Sequence, residues 1–476
     1  MSGPLTGLRV VDFSRVLAGP LCARTLQDLG AEVIKIEPPN PDVSRFAFPL
    51  TDGMSGYYAQ QNAGKRNVSI DLNLPGAYEL ALKLCDTADI IVENFRAGTL
   101  GFFGLDFETL SKRNPRLIYA SITGYGQGGP WRSRMAYAPT VQAEAGFTDN
   151  SVRHYGEALA EPRTDSLSHG DVYTGLQAVI AILAALNSRQ KTGRGQYIDV
   201  AMAATLMAIN ERAHVDLSDA DLGAEPAILG ATDCSFFTGP QGEFFTVATS
   251  IVGSRTFPSW LRAMRRVDLL EDPRFSTAAA RRMNFGALHQ IIQSWMLTFS
   301  DMATLDAQLD EAKIAMGQIR SLKELAASEW SEYWGAVQQV SDRNGGEYRL
   351  PGRPWRFSAE DLSSAGNPAF QGEHNIEVFR ELGVGEAELG RLIESRVLIT
   401  HPRVSSLDAF SCVREWACRA PAPGWVTTSL AKKGAPRIGA HHQRSNSLPH
   451  FLAAWSSGLP RSSTICMGNA PMHKRH

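Results

Sequence analysis

"LRVVDFSRVLAGPLCARTLQDLGAEVIKIE" (residues 8–37) decides the fold. LRVVDF (8–13) is a short run with strand character, GPLCARTLQDLG (19–30) spaces its apolar residues like a helix and ends on a stop glycine, and AEVIKIE (31–37) is strand-like again. Strand, helix and strand in that order form a βαβ unit, whose two strands run parallel. The alternation continues with YELALKLCDTA (78–88) as helix, DIIVENF (89–95) as strand, LDFETLSKRNP (105–115) as helix and RLIYASITGYG (116–126) as strand. The predicted class is α/β, a Rossmann-like parallel sheet covered by helices, with ligands beyond the carboxyl ends of the strands.

Outward from that core the pattern loosens through a polar, Gly-rich and Pro-containing stretch between about 135 and 165. It tightens again in VYTGLQAVIAILAALNSRQ (172–190), the best helix in the chain, followed by the strand-like YIDVAM (197–202). Residues 1–215 are read as a large domain. Short strands at FFTG (236–239) and EFFTVA (243–248), then FPSWLRAMRR (257–266) and GALHQIIQSWMLTF (286–299), make 225–330 a smaller α/β domain. Residues 331–395 read as a return segment and a terminal helix packing on the large domain.

The 476 residues include 47 basic and 49 acidic ones, for a formal charge of −2, which gives no surplus cation for nucleic acid. Eleven Lys or Arg and two acidic residues follow residue 395, leaving 36 basic and 47 acidic residues before it. Residues 396–476 therefore form a divergent basic tail, expected to be poorly ordered. A zinc site from Cys412, Cys418, His441 and His442 has the wrong cysteine separation, so no metal is assigned. The start has no leader pattern, and the longest apolar stretch, LQAVIAILAAL (176–186), is shorter than the ~20 residues that span a bilayer. With six cysteines and no disulfide framework, a cytosolic protein with no membrane partner is expected.

Among chemical motifs, GxGxxG, Walker, HExxH and GxSxG patterns are all missing, which argues against nicotinamide, flavin, nucleotide-hydrolysing, zinc-peptidase and serine-hydrolase chemistry. The glycine cluster TGYGQGGPW (123–131) reads either as a phosphate cradle or as a turn. Lys65 and Arg66 in AGKRNVSIDL (63–72) read either as a phosphate-binding pair or as a solvated surface. Tyr137 in MAYAPTVQAEAG (135–146) is indifferent on its own. Asp171 in SLSHGDVYTGLQ (166–177) has two readings. An Asp before a helix is a favoured N-cap, and the helix dipole keeps such an anion ionised. The same carboxylate, with Gly170 clearing space beside it, is placed to act as a nucleophile on an acyl thioester, with His169 as a neighbouring base.

LTGLRVVDFSRVLAGPLCARTLQDLGAEVIKIEPP (5–39), NAGKRNVSIDL (62–72), ADIIVENFRAG (88–98), NPRLIYASITGYGQGGPW (114–131), HGDVYTGLQAVIAILAALNSRQKTGRGQYIDVAM (169–202) and GEHNIEVFRELG (372–383) together resemble the class III, CaiB/BaiF-like coenzyme A transferases, which include formyl-CoA transferase and the carnitine and bile-acid CoA transferases. The resemblance covers about 5–395. It implies an interlocked, ring-shaped homodimer, and an enzyme moving CoA from an acyl-CoA to a carboxylic acid through an aspartyl anhydride and an aspartyl-CoA thioester. It implies Asp171 as the catalytic aspartate, with CoA as substrate and no tightly bound cofactor.

CoA contacts are implied at Leu17, Ala18, Ile70, Asp71, Leu72, Asn73, Asn94, Phe95, Arg96, Tyr137 and Ala138. Pro38 and Phe102 replace nucleotide-contacting arginines of the formyl enzymes, so Arg96, or Lys65 with Arg66, is expected to compensate. Leu17 replaces a glutamine, and the formyl enzymes' glycine-rich flap is missing from ILGATDCSFFTGPQGEFF (228–245), which points to an acceptor larger or less polar than formate. The alternatives are an α-methylacyl-CoA racemase, which has a histidine where Tyr137 stands, and a non-catalytic CoA binder. A tyrosine with a pKa of ~10 exchanges protons poorly near neutrality, which disfavours the racemase.

Overall fold

The computed structural model describes residues 3–51, 53–155, 165–211, 213–218, 235–360, 362 and 366–400. The strands of the first half are β1 (Arg9–Asp12), β2 (Glu32–Glu37), the two-residue β3 (Leu50–Thr51) and β4 (Met54–Ser55), β5 (Arg66–Ser69), β6 (Ile90–Glu93), β7 (Ile118–Thr123) and β8 (Tyr197–Ala201). All but β3 and β4 join one parallel sheet in the order β5-β2-β1-β6-β7-β8. The chain steps outward from β1 in both directions, so the sheet is the doubly wound α/β type expected, with its crevice where the order reverses, between β1 and β6.

Burial on both faces explains the unbroken apolar runs in these strands. On one face Val10, Val33, Ile90 and Ile118 pack with Leu26, Ala178 and Ile182 of the covering helices. On the other, Val11, Ile34, Ile91 and Tyr119 meet Leu80, Leu84 and Leu110. The single glycine of the first βα turn is required by sterics. A Cβ on Gly19 would stand 2.1 Å from Ser14 Cβ, so the turn is tight without a GxGxxG fingerprint.

The long helix, His169–Thr192, packs against the first helix, Ala18–Asp28, and against β7. By length and composition it can cross a membrane, with a mean hydropathy of 1.3, which exceeds what its apolar core LQAVIAILAAL conveyed. Here it is a core helix, burying Thr174, Gly175, Ala178, Ile182 and Ala185.

A second, antiparallel sheet joins β9 (Ser235–Thr238), β10 (Phe244–Val247) and β11 (Met316–Gln318) in the order β11-β10-β9. Phe237, Phe245, Trp260, Leu288 and Ile292 form the core beneath it. The hairpin of β12 (Val337–Ser341) and β13 (Glu347–Pro351) packs on the helix Gly56–Asn62 through Ala59, Ala63, Val340 and Leu350. The last helices, Asn375–Glu381 and Glu386–Glu394, return Val378, Phe379 and Leu389 to the core of the large sheet, and Leu398 bridges Ile70.

Three features differ from the sequence reading. β5 has no sequence signature, because Arg-Asn-Val-Ser is polar and only four residues long. The loosened stretch after 135 contains the helices Ala138–Glu144 and Phe147–Tyr155. The terminal helix is two helices. Residues 401–476, with Cys412, Cys418, His441 and His442, lie outside the described residues, as does the 228–234 part of the segment compared with the flap.

The long helix approaches the first helix closely only because residue 175 is glycine. A Cβ there would stand 2.6 Å from the Ala18 carbonyl oxygen, a backbone atom that cannot swing aside. Gly175→Ala is expected to cost about 1–3 kcal/mol of stability, read as a lowered midpoint in chemical denaturation.

Candidate active site

Asp171 is the third residue of the long helix, not its cap. Ser168 occupies the N-cap position without a side-chain capping bond, and Gln142 Oε1 instead accepts from Gly170 N at 3.1 Å. The helix therefore begins earlier than its apolar periodicity, and Asp171 falls in the first turn. It lies one turn before Gly175 on the same face, the face that meets Ala18. Gly170 brings the second wall close: a Cβ on it would stand 2.8 Å from Met202 Sδ and 3.5 Å from Ala138 Cα. Asn94 is drawn in through Gly19, whose Cβ would lie 3.3 Å from Asn94 Cγ. Leu17, Ala18, Asn94, Ala138 and Asp171 thus gather at one end of the sheet, around its switch point.

The Asp171 carboxylate is half-buried, and no group among the described residues donates a hydrogen bond to it. Burial alone raises its pKa from 3.8 to about 6. This reverses the expected influence of the helix dipole, because desolvation outweighs it. The carboxylate nevertheless remains mostly ionised at pH 7.

Tyr57, which no local signal singled out, is close enough for the Asp171 charge to add to the burial that raises its phenol's pKa. It sits on the short helix after β4. Gln142 was likewise unread, since its role as a helix cap depends on a tertiary contact. His169 is not placed as a base. It stands two residues from Asp171, on the opposite side of the helix, pairs with Asp165 at 3.1 Å and stacks on Tyr173.

Lys65 and Arg66 are corrected as phosphate ligands. Lys65 is buried and gives its three N–H bonds to Asp12 Oδ2 at 2.8 Å, Asn62 Oδ1 at 2.9 Å and the Pro20 carbonyl at 3.0 Å. Arg66 is shared among Glu32, Glu377 and Glu381. Arg96 is exposed. Asn94 spends its amide on the Arg15 backbone, and Phe95 N donates to Glu93 Oε2 while its ring packs on the core.

Ile70, Asp71, Leu72 and Asn73 follow β5 at the same end of the sheet. Ile70 is buried, and Asp71 Oδ1 accepts from both nitrogens of Asn73. Tyr137 is exposed, with its backbone N–H on Thr140 Oγ1. Pro38 turns its carbonyl to Gln371, and Phe102 is 85% exposed beside Phe103. Gln127 of the glycine cluster spans Glu93 and the Gly98 N–H, so that loop is tied to the segment after β6.

A doubly wound sheet binds its ligands at the switch-point crevice, and here that crevice lies by a carboxylate without a hydrogen-bond donor among the described residues. Residues 5–375 match CoA-transferase family III. The chain belongs to that family and is a CoA-transferase. It is 30% identical to a succinyl-CoA:mesaconate CoA-transferase of Haloarcula hispanica, over 80% of this chain and 97% of that protein. It is 31% identical to a formyl-CoA:oxalate CoA-transferase of Streptomyces avermitilis, over 84% and 100%. Among solved structures, a CaiB/BaiF family protein from Brucella suis superimposes with a TM-score of 0.68 at 31% identity, covering 80% of this chain and 100% of that one. The Haloarcula and Streptomyces relatives are CoA-transferases, which does not favour the racemase alternative.

The raised pKa of Asp171 has a consequence that can be measured without turnover. Between pH 3.8 and about 6 the folded chain holds this proton and the unfolded chain does not, so stability falls as pH rises through that window. Asp171→Asn is expected to resist urea better than the parent above pH 6, the difference closing towards pH 4. Paired urea titrations across that range check it.

Proposed function

We propose that Asp171 is the nucleophile of CoA transfer. The observation that carries this is a half-buried carboxylate with no hydrogen-bond donor among the described residues, on a helix turn whose Gly170 closes on Ala138 and whose Gly175 closes on Ala18. Partial desolvation leaves its lone pairs free to attack. One oxygen adds to the thioester carbonyl of the acyl-CoA, the C–S bond breaks, and CoA leaves as thiolate, giving a mixed anhydride. The thiolate then attacks the aspartyl carbonyl, which releases the donor acid and forms an aspartyl-CoA thioester. An acceptor carboxylate repeats the two steps in reverse order, taking CoA and regenerating Asp171. One thioester is exchanged for another, so the chemistry needs no energy source.

CoA is proposed to lie along the carboxyl edge of the sheet. Its thioester end is beside Leu17, Ala18, Tyr137 and Ala138, with Asn94, Phe95 and Arg96 along its length and Ile70–Asn73 at the far end. β5 stands two strands from β1, about 10 Å away, which suits an extended ligand. Arg96 supplies the exposed cation for phosphate. Leu17 gives the acceptor an apolar wall, favouring an acid larger or less polar than formate.

Incubation with succinyl-CoA or formyl-CoA, donors named for the relatives, followed by hydroxylamine or borohydride, is expected to modify the peptide carrying Asp171. Peptide mass analysis reads this. Asp171→Ala is expected to lose transfer by at least about 10³-fold and to show no modification. Full turnover by that variant refutes the reading, and exchange of an α-proton without CoA transfer favours racemisation.

A homodimer is also proposed. The long helix turns Tyr173, Leu176, Ile180 and Leu183 outward as an exposed apolar stripe opposite its buried face. Light scattering is expected to give twice the chain mass, and Ile180→Glu is expected to shift it towards the monomer.

A further inference from the structure

The turn Ser14–Val16, which leads into the first helix at the switch point, is held mainly by side chains from other positions. Ser14 N donates to Asp12 Oδ1 at 2.9 Å, and its carbonyl accepts from Lys35 Nζ. Arg15 N donates to Asn94 Oδ1 and Arg15 O accepts from Asn94 Nδ2, both at 2.8 Å. Val16 N donates to both oxygens of Asp42, at 3.1 and 3.0 Å.

Val16 itself has φ +67°. The other non-glycine residues with positive φ among the described residues are Arg265, Lys313, Arg343 and Arg396, none of them branched at Cβ. A β-branched residue in the left-handed region is an outlier that persists only where its surroundings over-determine it. Here they do. Asp42 is fully buried, pairs with the equally buried Lys35 at 3.4 Å, and also accepts from Ser44 N at 3.0 Å. Its own N–H is fixed by Glu37 Oε1 at 2.9 Å, and Glu37 is anchored by Arg45 at 2.6 Å. The residues after the strained position are Leu17, whose carbonyl accepts from Leu21 N to open the first helix, and Ala18.

We propose that Asp42 is a positioning residue of the CoA site, whose carboxylate holds Val16 in the left-handed turn and so fixes Leu17 and Ala18 where CoA lies. The inference rests on the CoA placement given above. A purely structural aspartate would damage stability and affinity together, and no change at residue 16 would separate them. A positioning aspartate acts through the Val16 backbone, which glycine adopts without help.

The test is calorimetric titration of the full chain with free coenzyme A, accompanied by thermal melts. Asp42→Ala is expected to weaken CoA binding about tenfold, as loss of one strained conformer implies. Asp42→Ala combined with Val16→Gly is expected to return affinity to within about threefold of the parent while the melting temperature stays lowered. If Asp42→Ala does not accumulate as a folded protein, Asp42→Asn, which keeps one acceptor oxygen, is read in the same way. A double variant that binds no better than the single one overturns the inference, as does a single variant that binds like the parent. A parent with no CoA affinity overturns the CoA placement beneath it.

Discussion

The place of the Asp171 carboxylate depends on how closely two helices approach. Gly175 lets the long helix rest on the Ala18 carbonyl, and Gly170 lets its first turn meet Met202 and Ala138. Side chains at either position would push the helix outward and carry Asp171 away from the crevice. Because Asp171 and Gly175 share a face, the contact that seals the core also aims the carboxylate. Packing and chemistry are one constraint at this point. Gln142 completes it by taking the Gly170 N–H, which defines where the helix starts.

The opposite wall of the crevice is built from charge. Asp12 with Lys65, Lys35 with Asp42, and Glu37 with Arg45 are ion pairs buried beneath the turn that opens the first helix. Each anion is held below its ordinary pKa by the neighbouring cations, against the opposing effect of burial. Lys65 is lowered to about 8 by burial and remains a cation at pH 7. Such pairs add little stability over an apolar core, yet removing one partner costs about 3–5 kcal/mol. They hold geometry. Apolar side chains could not fix the main chain of Ser14, Arg15 and Val16, whose hydrogen bonds need directed partners.

This division explains what could be read in the chain. The βαβ stretch 8–37 announces itself because strand and helix periods are local, and the parallel sheet follows. β5 escapes notice because its polar residues are buried by partners far along the chain: Asn67 bonds Glu37, and Ser69 N reaches Asn375. Lys65 and Arg66 look like a solvated pair for the same reason, since Asp12, Asn62 and the glutamates that occupy them are brought there by folding. The resemblance singles out Asp171, but its place within the helix is not legible in the sequence, because Gln142 takes the Gly170 N–H. Tyr57 had no signal beyond being a tyrosine in a short helix.

The two aspartates at the crevice show how environment separates scaffold from chemistry. Asp12 is the more deeply buried, yet its pKa is lowered, since Lys65 and Lys35 outweigh desolvation. Asp171 is less buried and its pKa is raised, since nothing compensates. An anion with every lone pair engaged is stable and unreactive. One left partly desolvated and unpartnered stores free energy in its charged form, and that energy is released when the carboxylate becomes an ester-like acyl group. The fold therefore places its buried cations under the turn and none in the first turn of the long helix, and that distribution separates Asp12, a scaffold anion, from Asp171, the carboxylate proposed to react.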